Sequence, residues 1–209
     1  MQSFLNNLSG RASKRVKGDI SLLNEQQLIE SFRTGDFSET DALVRQYEDI
    51  LYGLCRKLAG SGADDLYQQT WLKAVRKAHT FSGISFKNWL YTICINLYRD
   101  NYRRDKRREN VEGRRVSSEE KQYALSFATN NQSAETDSMQ REESRLLLEK
   151  IGNLPDKHRL PIILHYFEGL GYRESAKVLR IPVGTVKSRL NHAKQKLRKE
   201  LENDYHERY

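Results

Sequence analysis

Two short helical periods separated by a proline constrain this chain more than any other feature. Tyr172, Ala176 and Leu179 recur at i, i+4 and i+7, one face of a short helix. The next four residues, 180–183, include Pro182, which lacks a backbone N–H and does not continue a helix. From Gly184 a second period places Val186, Leu190, Ala193 and Leu197 on one face. Two helices joined this tightly across a small apolar seam form a helix-turn-helix. The seam is too small to stand alone, so Ile162, Ile163, Tyr166 and Phe167 are read as a supporting helix. Pro161 conflicts with a continuous helix there, so that helix either starts near Arg159 or bends.

The second helix is basic outside its seam. It carries Lys187, Arg189, Lys194, Lys196, Arg198 and Lys199 against Glu200. Near its start lie Thr185, Lys187, Ser188, Asn191 and His192, side chains that reach base edges or phosphates when such a helix enters a major groove. A charge run alone is equally compatible with a solvated helix. The tight turn together with the charge favours DNA binding.

The 209 residues allow one medium domain or two small ones. Hydrophobic content of 37% and charged content of 31% argue against one large core and for two compact helical domains. The net charge of +8 favours a polyanionic partner. Three prolines and few β-branched runs indicate an all-α fold. Cys55 and Cys94 sit in separate apolar stretches without metal-ligand spacing, so they read as buried, reduced thiols. No apolar run reaches the length of a membrane span, and the N-terminus lacks a signal-peptide apolar region; a cytoplasmic protein without cofactor or metal is expected.

Along the chain, residues 1–20 read as a loose basic tail. Residues 21–108 read as a first domain. Asn24 and Gln27 suggest a capping box, Leu28, Ile29 and Phe32 a core face, and Gly35-Asp36 a break. Leu43, Tyr47, Ile50, Leu51, Leu54 and Leu58 follow at helical spacing up to Gly60-Ser61-Gly62. The helix from Ala63 to Ala78 opens with Asp64 and Asp65, which suit the helix dipole. With Gln68 and Gln69 they also form a polar face fit to dock another protein. Ser85 is a candidate N-cap for a helix with Phe86, Trp89, Leu90, Ile93 and Leu97 on its core side. That helix turns basic at Arg99, Arg103, Arg104, Lys106, Arg107 and Arg108, beside Tyr91, Asn96, Tyr98 and Tyr102. Rings beside a cationic track suit an unpaired strand, because bases stack on rings while cations follow phosphates. Core packing is the competing reading for these tyrosines, and a backbone contact for Asn96. Residues 109–143 carry eight acids against four bases and little apolar periodicity, which reads as a flexible linker. Residues 144–204 form the second domain.

Ile-Pro-Val-Gly-Thr-Val-Lys-Ser-Arg-Leu at 181–190 resembles the recognition-helix opening of bacterial sigma factors of the extracytoplasmic-function group. Tyr-Arg-Glu-Ser-Ala-Lys-Val-Leu before it resembles their scaffold helix. Ala-Asp-Asp-Leu-Tyr-Gln-Gln-Thr-Trp-Leu-Lys-Ala, from Ala63, resembles the segment that grips the polymerase clamp, with Gln69 where the family usually has Glu. The stretch from Phe81 to Asp100 resembles the −10 reading and melting segment. The resemblance implies a protein that is not an enzyme. Asp64, Asp65, Gln68 and Gln69 would bind core RNA polymerase. Phe81, Tyr91, Asn96, Tyr98, Arg103 and Arg104 would bind and melt −10 DNA. Thr185, Lys187, Ser188, Asn191 and His192 would read −35 DNA, while the second domain also touches the polymerase flap. It further implies an anti-sigma partner and a linker running towards the RNA exit path.

Two other readings compete. A helix-turn-helix regulator that never joins polymerase explains residues 154–201 but leaves the first domain without a role. A metal-dependent nucleic-acid enzyme would have to use Asp64, Asp65, Asp100 and Asp105, and no His or Glu joins them at ligand spacing.

Overall fold

The computed structural model describes residues 25–36, 38–83, 85–112 and 146–208. The tail, Asn24 of the expected capping box, Ser144 and linker residues 113–143 lie outside them. Among the described residues every regular element is helical. The first module comprises α1 (Glu25–Thr34), α2 (Thr40–Ala59), α3 (Ala63–Arg76) and α4 (Phe86–Glu112). The second comprises α5 (146–152), α6 (Asp156–Ile162), α7 (Tyr172–Leu179) and α8 (Val183–Arg208). Helix α4 therefore runs four residues past the expected boundary at 108.

Local chemistry sets these ends. Gly35 adopts φ 88°, and the Asp36 N–H donates to the Ser31 carbonyl at 2.9 Å. This left-handed closure ends α1, and glycine adopts it without a Cβ clash. Ser85 caps α4 as expected, its Oγ accepting from the Asn88 N–H at 3.2 Å.

Phe86, 1% exposed, is the hub of the first module's core. Its ring meets Phe32 at 5.6 Å, Tyr47 at 5.1 Å and Phe81 at 5.5 Å, all edge-on. Edge-to-face pairs place a ring's positive rim on its neighbour's negative face, about 0.5–1.5 kcal/mol each beyond area burial. Leu28, Phe32, Leu43, Tyr47, Leu51, Leu54 and Leu58 are buried as the spacing predicts, but Ile50 is 39% exposed. Ile50 lies one position before Leu51, about 100° around the helix, and points away from the core.

In the second module α6 begins at Asp156, earlier than Arg159, because the Pro155 carbonyl accepts from the N–H groups of His158 and Arg159 at 2.8 and 3.0 Å. Pro161 sits inside the helix and removes one bond of the ladder. Just after it the helix widens into a π turn, Ile163–Phe167, closed by Glu168 N–H to the Ile163 carbonyl at 3.0 Å. Gly169, at φ 71°, ends the turn.

The helix-turn-helix is present at 172–197. Ala176, Leu179, Val186, Leu190, Ala193 and Leu197 are buried in its seam. Tyr172 and Tyr166 are not: they are 38% and 51% exposed. Leu170, 3% exposed, and Leu164, fully buried, are the core residues of this stretch instead. Widening at 163–167 shifts the phase of the supporting helix and turns Tyr166 outward.

The two modules pack against each other. Helix α4 lies along α7 and the end of the π turn; the buried apolar cluster is continuous through both modules, and several hydrogen bonds cross the seam.

Candidate functional site

The N-terminal end of α8 is built from its turn. The Pro182 carbonyl accepts from the N–H groups of Thr185 and Val186, at 2.9 and 3.2 Å, so the helix starts immediately after the proline. Val186 and Leu190 anchor its inner side. That leaves Lys187, Ser188, Asn191 and His192 exposed on one outer surface, with Thr185 half-buried beside them. Lys187 Nζ lies 5.8 Å from the centroid of Tyr172, and Lys194 Nζ 5.3 Å from that of Tyr166. His165 joins the two tyrosines at 4.7 and 4.8 Å. The sequence reading missed this aromatic shelf by assigning Tyr166 and Tyr172 to the seam. The signal available was the phenol itself, which keeps a polar end in water.

Behind the shelf, His158 Nδ1 lies 3.3 Å from the Arg189 carbonyl, and its ring is 6.3 Å from that of His192. Burial, followed by the charges of Lys157, His192 and Arg189, holds His158 below its ordinary pKa.

The strip proposed for an unpaired strand divides. Arg103 and Arg104 are exposed on α4, and Asn96 is half-buried. Phe81 is 7% exposed and packs on Phe86 and Trp89, so it is a core ring here rather than the wall of an open pocket. Tyr91 and Tyr98 are 1% and 3% exposed, each with its hydroxyl under the second module. The Tyr91 hydroxyl donates to Glu168, and burial and that carboxylate push its pKa up. The Tyr98 hydroxyl donates to Asp156 Oδ1 at 3.1 Å and accepts from Arg159. Tyr102, stacked on Tyr98 at 6.5 Å, remains exposed.

The polar face of α3 is open. Asp64 and Asp65 are exposed; Gln68 and Gln69 are half-buried. Asp64 Oδ1 accepts from the Tyr52 hydroxyl at 3.0 Å, and Gln69 Oε1 accepts from Asn101 Nδ2 at 3.2 Å. Buried Leu66, Tyr67, Thr70 and Trp71 hold the opposite side of the helix.

Three polar surfaces on two helical modules, one of them a helix-turn-helix, have counterparts among known proteins. Residues 43–108 match the family description Sigma-70 region 2, and residues 144–197 match Sigma-70, region 4. The ECF RNA polymerase sigma factor SigW of Bacillus subtilis is 31% identical over 176 residues, covering 83% of this chain and 94% of the relative. The chain belongs to the extracytoplasmic-function sigma factors. The ECF RNA polymerase sigma-E factor of Escherichia coli K12 is also 31% identical, over 179 residues, covering 83% and 92%. Two solved structures share the fold. The sigma factor RpoE of Bartonella quintana, in complex with the anti-sigma factor NepR, has a TM-score of 0.63 at 23% identity, covering 78% of this chain and 97% of that one. CnrH, in complex with the cytosolic domain of CnrY, has 0.59 at 22%, covering 86% and 98%.

A sigma factor gives polymerase its promoter specificity and performs no catalysis itself. The work of this one is therefore binding: core polymerase on one side, promoter DNA on the other. Among the described residues no cluster of His, Cys, Asp and Glu could hold a metal ion, and no helix is long and apolar enough to cross a membrane.

Proposed function

We propose that residues 21–108 form the unit that docks the polymerase clamp and captures unpaired −10 bases, and that residues 144–204 form the unit that reads duplex −35 DNA and meets the flap. Residues 109–143 would join them, and the protein would act in the cytoplasm. The observation that carries this reading is the outer surface of α8. Lys187, Ser188, Asn191 and His192 are exposed together at the helix's N-terminal end, while Val186 and Leu190 fix its inner side. Those side-chain types at that end are what a recognition helix presents to a major groove.

Asp64, Asp65, Gln68 and Gln69 are assigned to the clamp. Arg103, Arg104, Asn96, Tyr91, Tyr98 and Phe81 are assigned to the separated strand, the arginines following phosphates and the tyrosines offering stacking faces. Phe81 would act from beneath, shaping the loop that precedes α4. The Bartonella sigma factor was solved with the anti-sigma factor NepR, which supports a similar partner here.

The test separates the two units. Lys187→Ala should reduce promoter-specific initiation in a reconstituted reaction and leave core association intact. Replacing Asp65 and Gln68 together by alanine should weaken core association in a pull-down. Equal initiation by the first variant, or equal association by the second, refutes the corresponding assignment.

A further inference from the structure

Glu168 places a buried carboxylate in the seam between the modules. Its side chain is 7% exposed, and the contacts at its carboxylate come from the first module. Oε1 accepts from Lys57 Nζ at 3.0 Å, and Oε2 accepts from the Tyr91 hydroxyl. Its main-chain carbonyl accepts from Lys87 Nζ at 3.1 Å. A carboxylate this buried is held by its partners, and removing one leaves a charge in a poorly solvated place. The seam is polar elsewhere too. Asn88 Nδ2 donates to Glu174 Oε1 at 3.1 Å, and Arg99 donates to the Leu179 carbonyl at 3.4 Å. Polar contacts between units of one chain separate more readily than apolar ones, because water replaces them on opening.

The closed seam covers one surface and spares two. Tyr91 and Tyr98 are shut beneath it. Asp64 and Asp65 on α3 stay exposed, as do Lys187 and Asn191 on α8. Burial comes first in holding Arg99 below its ordinary pKa; next, Asp156 of the second module acts upwards and Arg189 downwards. Closure thus desolvates a cation at the seam, and the contacts across it must offset that cost.

We propose that this sigma factor latches itself shut through Glu168, so that its strand-reading face is masked while its polymerase-docking face remains available. The order of events follows: the closed protein docks first, and opening of the seam then exposes Tyr91 and Tyr98 to the separated strand. The masking half rests on the strand-contact reading above; the latch itself does not.

A charge-swap cycle on the full chain tests it. Glu168→Lys sets a third ammonium against Lys57 and Lys87, and Lys57→Glu sets two carboxylates together. Each single variant should expand the molecule by small-angle scattering and speed amide exchange over residues 91–99. The double variant Lys57→Glu/Glu168→Lys should restore the compact form, which shows that neither charge harms the fold. Binding of a fluorescent random-sequence 15-nucleotide single strand at low salt reads the masking. If the wild type is open about one time in ten, apparent affinity scales with the open fraction and each single variant gains about tenfold. Unchanged dimensions and exchange in both single variants, or no recovery in the double, would overturn the latch. Expanded molecules that gain no strand binding would leave the latch standing and overturn Tyr91 and Tyr98 as strand contacts.

Discussion

Cys55 and Cys94 face each other across α2 and α4 with their sulfurs 3.6 Å apart, both fully buried. The contact with Cys94, then burial, pushes the Cys55 thiol well above its ordinary pKa. Since the thiolate is the reactive form and burial keeps reagent from both sulfurs, neither cysteine should take up iodoacetamide in the native protein at neutral pH, and both should react in denaturant. Mass spectrometry of the alkylated chain checks this; rapid native labelling would show that the core opens locally. Buried, reduced cysteines were legible in the sequence because the surrounding apolar period was unambiguous. Residue faces were less legible where a side chain has two characters. Tyr91 and Tyr98 stood equally for core and strand contact, and they are buried under a module whose approach no local pattern encodes. Glu168 carried no signal either. Its partners Lys57 and Tyr91 lie 111 and 77 positions away along the chain.

At the scale of elements, α1 and α7 end with the same pair of backbone bonds but different residues. Asp36 N–H reaches Ser31, as Ile181 N–H reaches Ala176 at 3.1 Å. The left-handed position is Gly35 in the first and Arg180, at φ 55°, in the second. A non-glycine residue there strains against its own Cβ. Arg180→Gly should therefore stabilise the chain by about 1 kcal/mol, offset in part by the greater freedom of glycine when unfolded. Urea denaturation of the full chain measures it. A loss of stability would mean that the Arg180 side chain supplies more than the strain removes. The helix-turn-helix was readable because Pro182 fixes the start of α8 with its own carbonyl. The start of α6 was not, because Pro161 sits inside the helix instead of opening it. The expectation rested on the missing N–H and could not anticipate a π turn that takes up the disturbance.

For the whole molecule, Glu174 joins local and long-range order. Its carboxylate accepts from the Gly171 N–H at 2.9 Å, capping α7, and from Asn88 across the seam. These bonds, the Gly171 one first, hold its pKa below the ordinary value. A group depressed in this way adds stability above its unfolded pKa, and that stability is lost as pH falls through the folded one. Acidification through the lower carboxylate range should therefore loosen both the cap and the seam, with Glu174→Gln flattening that part of the profile. Amide exchange of α7 and of residues 85–92 followed from pH 7 downwards reports it; an identical profile for the variant would remove Glu174 from the account. The helical class and two-module division were legible from period and charge. The packing of one module on the other was not, since it depends on scattered polar partners whose alignment exists only after both have folded.

Each residue of an α-helix advances its side chain by about 100° around the axis. The π turn at Ile163–Phe167 holds one residue more than that pitch allows, and Glu168 follows it directly. Were the same residues wound at regular pitch instead, the carboxylate would swing by about 100°, more than a quarter of a revolution, away from Lys57. The aim of the catch is thus written in the winding of the backbone, and an unchanged glutamate on a straightened helix would fasten nothing.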